Sequence, residues 1–386
     1  MDALQNTLDL LADLVAFPTV SSESNLAIIH LLADRLESAG ARVEVMVDDS
    51  GKKANLYATL GPDEPGGVLL SGHSDVVPVA GQDWSSDPFR MEAREGRLYG
   101  RGTCDMKGFI AAAVTMAPHL APHCTARPLH FAFTHDEEVG CLGAKALAEI
   151  LATKQTLPTI AVIGEPTGMQ LVEGHKGCCE YTTRFEGRAG HGSDPAAGVN
   201  AVEYAVRYVA RLMEIKEALK GRAPPESRFD PPWTTVNTGG LQGGSVHNVI
   251  PSQAEVLWEM RPVIEADAQF VRGEMRRYAE EVLLPLMREV APEAAITTEV
   301  VGEVGGLEPM DDGAAAALVR ALTGANGGGL VPFNTEAGIF QNLGMDVVIC
   351  GPGHIEQAHK PDEYLEISQL SQCVAMLDRL APRLAS

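Results

Sequence analysis

The sequence predicts an α/β protein with a second, smaller α+β domain inserted into it. Buried-strand patterns alternate with amphipathic helices at both ends of the chain, and this pattern is interrupted between about residues 178 and 303. At 386 residues, the chain also exceeds the length that one hydrophobic core usually serves. We therefore expect residues 1–178 and 304–386 to form an outer domain, and residues 179–303 to form the inserted one.

The elements of the outer domain follow from hydrophobic periodicity. Apolar residues at helical spacing predict helices, whereas short apolar runs predict buried strands. Helices are predicted over residues 1–20, 25–40, 106–118, 143–151, 312–322 and 367–380. Strands are predicted over residues 42–47, 68–73, 129–134, 159–164 and 345–350. Their alternation is typical of a central sheet flanked by helices.

The inserted domain has a different order of elements. Strands are predicted over residues 180–186, 234–240, 254–261 and 295–301, and long helices over 200–219 and 266–289. The order strand-helix-strand-strand-helix-strand is typical of a ferredoxin-like unit, with two helices on one face of an antiparallel sheet. Because such a sheet has free edges, the domain offers a surface for dimerisation.

Composition excludes several classes of protein. A hydrophobic fraction of 45% and a charged fraction of 21% are typical of a packed globular chain. The net charge of −22 disfavours nucleic acid and anionic membranes as partners. No apolar run reaches the roughly 20 residues that span a bilayer. Seven cysteines without a Cys-x-x-Cys pair, and an acidic N-terminus without an export signal, predict a cytoplasmic protein.

Six acidic or imidazole side chains lie at predicted strand ends or in loops of the outer domain. In an α/β sheet such strand ends converge on one crevice. Imidazole and carboxylate groups are ligands for a divalent transition metal, and one bridging carboxylate lets five ligands hold two ions. One of the two adjacent glutamates then remains free to act on water. The six residues are His73, Asp105, Glu137, Glu138, Glu165 and His359.

The residues alone leave two choices open. Either Glu137 or Glu138 can be the free base. His354 and His359 are both spaced suitably to be the histidine ligand from the loop after the last predicted strand. Asp75, two residues after His73, is placed to accept a hydrogen bond from the second ring nitrogen of that histidine, as carboxylates behind metal-bound histidines do.

The motifs around these residues resemble the M20 metallopeptidase and deacylase family. The match covers nearly the whole chain, and the motifs occur in the family's order. They are Gly-His-Ser-Asp-Val-Val-Pro at 72–78, Gly-Arg-Gly-Thr-Cys-Asp-Met-Lys-Gly at 100–108, Asp-Glu-Glu at 136–138, Gly-Glu-Pro-Thr at 164–167, Gly-His-Gly-Ser-Asp-Pro at 190–195 and Asn-Val-Ile-Pro at 248–251.

The resemblance implies a fold and a set of roles. The outer domain would be a catalytic domain of the zinc-exopeptidase type with a mixed central sheet, and the inserted domain a dimerisation lid.

Two divalent ions, Zn²⁺ or Co²⁺, would be expected. His73, Asp105 and Glu165 would hold one ion, and Asp105, Glu138 and His359 the other. Glu137 would be the general base, Asp75 would orient His73, and His191 of a partner subunit would stabilise the oxyanion. Asn248, Arg261, Asn334 and Glu336 would bind substrate.

Residues 334–337 and 357–365 most resemble the members of the family that deacetylate acetylornithine. That implies removal of the acetyl group from N2-acetyl-L-ornithine, giving L-ornithine and acetate in arginine biosynthesis, by a homodimer acting on a small N-acyl amino acid. The alternatives are a deacylase of succinyl-diaminopimelate or acetylcitrulline, or a dipeptidase. A non-catalytic binding protein would be expected to lack at least one of the six residues, and all six are present.

Overall fold

The computed structural model describes residues 3–310 and 313–385. The strands are β1 (Arg42–Val47), β2 (Ala54–Leu60), β3 (Val68–His73), β4 (Glu92–Arg94), β5 (Arg97–Tyr99), β6 (Leu129–Thr134), β7 (Ile160–Pro166), β8 (Val172–His175), β9 (Cys178–Glu186), β10 (Gly190–His191), β11 (Thr235–Gly243), β12 (Val249–Ile250), β13 (Gln253–Arg261), β14 (Ala295–Val304), β15 (Gly329–Val331), β16 (Asp346–Gly351) and β17 (Tyr364–Glu366).

The α-helices are α1 (Ala3–Val15), α2 (Leu26–Ser38), α3 (Gly108–Leu120), α4 (Leu142–Leu151), α5 (Ala201–Lys220), α6 (Glu265–Arg277), α7 (Leu284–Arg288), α8 (Ala314–Thr323), α9 (Ala337–Asn342), α10 (Ile367–Asp378) and α11 (Ala381–Leu384). Within residues 3–310 and 313–385, no helix combines the length and apolar character needed to cross a membrane.

The chain forms two compact units. Unit 1 comprises Met1–Gly174, Pro309–Val331 and Thr335–Ser386, and unit 2 comprises His175–Glu308 and Pro332–Asn334. Unit 1 contains an eight-stranded sheet in the order β1-β2-β6-β3-β7-β16-β8-β15. Strands β6, β3, β7 and β16 run parallel, while β1, β2 and β8 pair antiparallel with their neighbours. The predicted mixed central sheet flanked by helices is therefore confirmed.

The centre of this sheet is buried on both faces. Every residue of β2, β3, β6 and β7 is buried, as expected for strands covered by helices on each side. The register pairs His73 with Thr134 and Gly351 with Pro166, so the carboxyl ends of the parallel strands lie along one edge. Polar side chains that follow these ends are brought together there.

A tight turn before α3 places Asp105 at the same edge. Gly102 begins the turn with φ of 81°, a conformation that a glycine adopts without strain. The following helix α3 is almost entirely buried and packs against α1 and α10. At Gly164 of β7 a Cβ atom would overlap the Phe109 ring, so the absent side chain lets helix and sheet approach closely.

Unit 2 is built on a four-stranded antiparallel sheet in the order β11-β13-β9-β14. Together with α5 and α6 this gives the predicted ferredoxin-like arrangement. Asn200 caps α5 by accepting hydrogen bonds from the backbone N–H groups of Val202 and Glu203. The rings of Tyr181 and Trp258 stack in the core with centroids 4.3 Å apart.

Several boundaries differ from the sequence prediction. The helix predicted over residues 266–289 is divided into α6, a π-helical segment (Tyr278–Leu283) and α7. The helix predicted from residue 312 begins at Ala314, with Gly313 as its N-cap, and Asp312 lies outside the described residues. Strand β2 escaped prediction because it carries polar residues within a buried strand. Asn55 donates to the Gly143 carbonyl 2.8 Å away, and Thr59 pairs with His130, which are partners distant in sequence.

Candidate active site

Asp105 lies between two histidines in unit 1. Its Oδ1 is 3.0 Å from Nε2 of His73, and its Oδ2 is 3.3 Å from Nε2 of His359. His73 and Asp105 are buried, whereas the side chain of His359 is 52% exposed. One carboxylate therefore faces two imidazoles with a different oxygen each, as a bridging ligand must.

Two further carboxylates complete the cluster. Glu138 places Oε2 3.0 Å from Nε2 of His359, and Glu165 places Oε1 3.8 Å from Nε2 of His73. Glu165 is buried at the end of β7, and Glu138 is half-buried after β6. The structure thus brings together all five side chains for which the sequence analysis expected a ligand role.

The choice between two histidines is also resolved by position. His359 reaches Asp105 and Glu138, whereas Nε2 of His354 lies 2.6 Å from Nε2 of Gln369 in α10. His359 therefore belongs to the cluster, and His354 contacts a neighbouring helix.

The electrostatics of the cluster favour positive charge at its centre. Burial, together with the charge of Asp105, raises the pKa of Glu165 well above its usual value. Burial opposes protonation of His73, yet its hydrogen bonds to Asp105 and Asp75 raise its pKa well above the usual range. Hydrogen bonds to Asp105 and Glu138 raise the pKa of His359 to about 10. Closely packed carboxylates repel one another unless a cation lies between them.

The donor set fits divalent metal ions. One ligand atom each from His73, Asp105 and Glu138 lie within 4.8 Å of one another, and so do atoms from His73, Glu137 and Glu165. Imidazole nitrogen and carboxylate oxygen are the donors that zinc and cobalt accept in hydrolytic sites. A divalent ion would also neutralise the buried carboxylates. The residues present are therefore suited to a metal centre.

Glu137 lies beside the cluster without contacting either imidazole at hydrogen-bond distance. Its Oε1 accepts a hydrogen bond from Sγ of Cys141, 3.4 Å away. Burial raises the pKa of Glu137 to about 8, and the charges of Glu138 and Asp105 add to this rise. A carboxylate with a raised pKa is suited to take up a proton and release it again.

Asp75 contacts both His73 and the segment that carries Glu137. Its backbone carbonyl accepts from Nδ1 of His73 at 2.9 Å, which leaves Nε2 directed at the cluster, and its carboxylate is 3.5 Å from the same Nδ1. Asp75 Oδ1 accepts from the backbone N–H of Glu137 at 3.1 Å, and Oδ2 accepts from Ser21 Oγ at 2.7 Å. The carboxylate therefore fixes the glutamate segment as well as His73.

Glu336, which the sequence analysis expected to bind substrate, lies in the interior of unit 1. It is fully buried, and its two oxygens accept hydrogen bonds from Ser71 within β3 (2.5 Å) and from Thr134 at the end of β6 (2.7 Å). A side chain enclosed in this way supports the strand ends that carry the cluster, and a substrate does not reach it in this conformation.

The remaining expected residues lie in unit 2. His191 is exposed in β10, and its Nδ1 accepts from the Ser193 backbone N–H at 3.1 Å. The carbonyl of Asn248, which is also exposed, accepts from the N–H of Gly192 at 2.8 Å, so both residues belong to one surface of this unit. Arg261 ends β13, and its Nη2 is 2.8 Å from Glu259 Oε2. Asn334 belongs to a short segment grouped with unit 2.

The comparisons with known proteins decide the family. The model of the peptidase family M20/M25/M40 matches residues 69–383 of this chain.

The chain belongs to peptidase family M20/M25/M40.

Curated relatives and solved structures agree with this assignment. Acetylornithine deacetylase of Klebsiella pneumoniae (strain 342) is 37% identical over 360 residues, which cover 92% of this chain and 91% of that protein. The acetylornithine deacetylase of Shigella sonnei (strain Ss046) is 36% identical with the same coverage. This M20 chain is therefore a hydrolase that acts on amides. The M20 family metallo-carboxypeptidase Sso-CP2 from Sulfolobus solfataricus shares its fold, with a TM-score of 0.74, 17% identity and full coverage of both chains.

Sequence reasoning missed several supporting residues of this M20 site. Ser21, which bonds Asp75, and Cys141, which bonds Glu137, carry no local signal of such a role. Arg101 and Glu363 lie inside the motif stretches at 100–108 and 357–365, yet their contact with each other is invisible in the sequence because 262 positions separate them.

Proposed function

We propose that the chain is a metal-dependent amidohydrolase that removes the acetyl group from N2-acetyl-L-ornithine and releases L-ornithine and acetate. The position of Asp105 between His73 and His359, with the carboxylate of Glu137 within 4.8 Å of His73 and Glu165, carries the proposal. The 37% identity to an acetylornithine deacetylase over most of both chains supports the choice of substrate.

The proposed ligand sets share Asp105. His73, Asp105 and Glu165 would hold one zinc or cobalt ion, and Asp105, Glu138 and His359 the second, as their contacts favour. When bound, such ions polarise a carbonyl oxygen and lower the pKa of water towards about 7. Glu138 is assigned as the ligand because its carboxylate reaches His359, which that of Glu137 does not.

Glu137 acts as the proton carrier in this proposal. Its carboxylate takes a proton from the attacking water as the new C–O bond forms on the acetyl carbon. The same proton then passes to the amide nitrogen as the C–N bond breaks, so that ornithine leaves as an amine, and the second proton of the water is released as the acetic acid formed ionises to acetate. The thiol of Cys141 and the Asp75 bond to the Glu137 backbone hold the carboxylate in place.

The roles that the family resemblance implies for His191, Arg261, Asn248 and Asn334 stay part of the proposal. We assign to His191 the stabilisation of the oxyanion, supplied by a partner subunit, because an exposed imidazole on a small sheet is free to meet another chain. Arg261 would bind the α-carboxylate of the substrate, since a guanidinium offers two parallel donors. Asn248 and Asn334 would contribute amide hydrogen bonds.

A homodimer through unit 2 is part of the proposal. Strand β11 is an edge of its sheet, and the neighbouring helix α5 exposes Val206 (51%) and Met213 (61%) two turns apart. An open strand edge beside an apolar stripe suits a second copy of the same surface. We expect the double substitution of Val206 and Met213 by glutamate to convert a dimer into a monomer in light scattering after size-exclusion chromatography.

The matched control for this double variant is Lys216→Glu, which adds negative charge to an exposed position of the same helix. The control should remain dimeric. A double variant that stays dimeric while folded would contradict the assignment of this face.

We place this reaction in the cytoplasm and in arginine biosynthesis. All seven cysteines are free thiols, and five of them are buried in unit 1. Unpaired thiols suit a reducing compartment. The product, a free basic amino acid, suits a biosynthetic step that unmasks an amine.

The test is a parallel initial-rate assay of the metal-loaded protein on four substrates. These are N2-acetyl-L-ornithine, N-succinyl-L,L-diaminopimelate, N-acetyl-L-citrulline and a plain dipeptide. Acetylornithine should lead in kcat/KM by roughly tenfold or more, which corresponds to about 1.4 kcal/mol of preference in the transition state. A lead for another substrate would leave the amide chemistry in place and overturn the assignment of the acyl amino acid.

A further inference from the structure

Arg101 and Glu363 form a buried ion pair directly behind the cluster. Nη1 of Arg101 donates to Oε2 of Glu363 at 2.7 Å, and both side chains are 1% exposed. Taking two charges out of water is costly, and apolar residues of similar size often serve stability as well or better. Stability alone therefore does not account for the pair, and its hydrogen-bond partners indicate a role in the site.

Glu363 holds the turn that carries Asp105. Its Oε1 accepts hydrogen bonds from the backbone N–H of Cys104 at 2.9 Å and from that of Asp105 at 3.1 Å. Charge-assisted bonds of this kind are short and directional. The carboxylate thus fixes the backbone from which the Asp105 side chain projects.

Arg101 is linked to the loop that carries His359. Nη2 of Arg101 donates to Oε1 of Gln82 at 2.6 Å, and Nε2 of Gln82 donates to the backbone carbonyl of His359 at 3.0 Å. The guanidinium also lies 5.0 Å from the Trp84 ring centroid, and Trp84 Nε1 donates to the same Gln82 oxygen. His359 has φ of 63°, a conformation that a non-glycine residue keeps only when its surroundings enforce it.

We propose that Arg101, Glu363 and Gln82 are positioning residues that set the separation of Asp105 and His359, and hence the affinity of one metal position. We call them the Arg101 clamp. The clamp acts on two backbone segments whose side chains approach to 3.3 Å at the cluster. The proposal rests on the assignment of Asp105, Glu138 and His359 as ligands. Residues that orient metal ligands in this way commonly contribute about 10–100-fold in affinity.

The clamp affects the two positions unequally. His73 and Glu165 project from the buried strands β3 and β7, whose backbones are fixed by the sheet. His359 projects from a loop and is half-exposed, so its position depends on Gln82 and Arg101. Loss of the Gln82 bond alone should weaken the position that uses His359 and spare the position that uses His73 and Glu165, whereas loss of Glu363 loosens Asp105 and should weaken both.

The test is calorimetric titration of metal-free protein with zinc alone, for the wild type and for Gln82→Met and Glu363→Gln. Gln82→Met removes the bond to the His359 carbonyl and leaves the buried ion pair intact, so it remains informative if Glu363→Gln does not fold. We expect Gln82→Met to weaken one of two zinc sites about 10–100-fold while the other is unchanged, and Glu363→Gln to weaken both because Asp105 is shared. The visible absorption of the cobalt(II)-loaded Gln82→Met variant should show a changed environment for one ion.

Arg97→Met is the matched control. Arg97 makes an ion pair with Glu366 across β5 and β17. This pair is close in sequence to Arg101 and Glu363, but both of its side chains are partly exposed. This variant should bind both zinc ions as the wild type does. Folded Gln82→Met and Glu363→Gln proteins with two unchanged zinc affinities would overturn the clamp alone. A wild type that binds fewer than two zinc ions would overturn the ligand assignment on which the clamp rests.

Discussion

Replacing Glu137 by glutamine should lower kcat for amide hydrolysis by at least about a hundredfold, because the amide of glutamine cannot accept the proton of the attacking water. The side chain keeps its size, and the Asp75 bond to the backbone N–H of residue 137 is preserved. Metal content should remain that of the wild type, since Glu138 and Glu165 supply the proposed ligands on either side. Steady-state kinetics together with elemental analysis measure both quantities.

Two further variants make the assignment specific. Glu138→Gln should reduce metal content, which Glu137→Gln leaves intact, and Glu149→Gln, exposed on α4, should change neither property. The reverse pattern, with metal lost on Glu137→Gln and retained on Glu138→Gln, would exchange the roles of the two glutamates. Turnover of Glu137→Gln within a few-fold of the wild type would remove Glu137 from the chemistry.

Replacing Asp105 by asparagine should abolish the metal centre. Asp105 contacts both His73 and His359, and hydrogen bonds from those two histidines overcome the effect of burial and lower its pKa below the usual value. An asparagine has one carbonyl oxygen and an NH2 group in place of two anionic oxygens, so it cannot face both imidazoles as an acceptor. Because Asp105 is proposed to contact both ions, its loss should lower zinc affinity by more than the about 10–100-fold that residues behind a ligand contribute.

Zinc titration and kcat/KM of Asp105→Asn measure this loss. Asp63→Asn, at a side chain that is 81% exposed, controls for the change of one charge and should be neutral. Two zinc ions bound with wild-type affinity by Asp105→Asn would show that this carboxylate does not bridge them.

The sequence predicted the part of the site that depends on strand ends. His73 and Glu165 end the apolar runs of β3 and β7, and the parallel pairing of the central strands brings their ends together. The alternation of apolar runs and amphipathic helices was sufficient for this, and the resemblance to the M20 family added the order of the motifs, which the family match confirms.

The sequence did not predict the hydrogen-bond partners of the side chains behind the cluster. The Asp75 carboxylate, which was expected to bond His73, lies 3.5 Å from Nδ1 of that ring. The structure adds a closer contact from the Asp75 backbone carbonyl, at 2.9 Å, and bonds from Ser21 and the Glu137 N–H to the carboxylate. The buried carboxylate of Glu336 is satisfied by two hydroxyl groups from different strands, and that pairing is not visible in the sequence. Periodicity reports which face of an element is buried, and it does not report which polar atoms meet in the folded chain.

Stepwise addition of zinc to metal-free protein, with acetate release from N2-acetyl-L-ornithine as the readout, tests the central claim most directly. The metal-free protein should release no acetate, and the rate should rise with added zinc until two ions are bound per chain. Full activity in protein shown by elemental analysis to be free of metal would contradict a metal-dependent amidohydrolase built on Asp105.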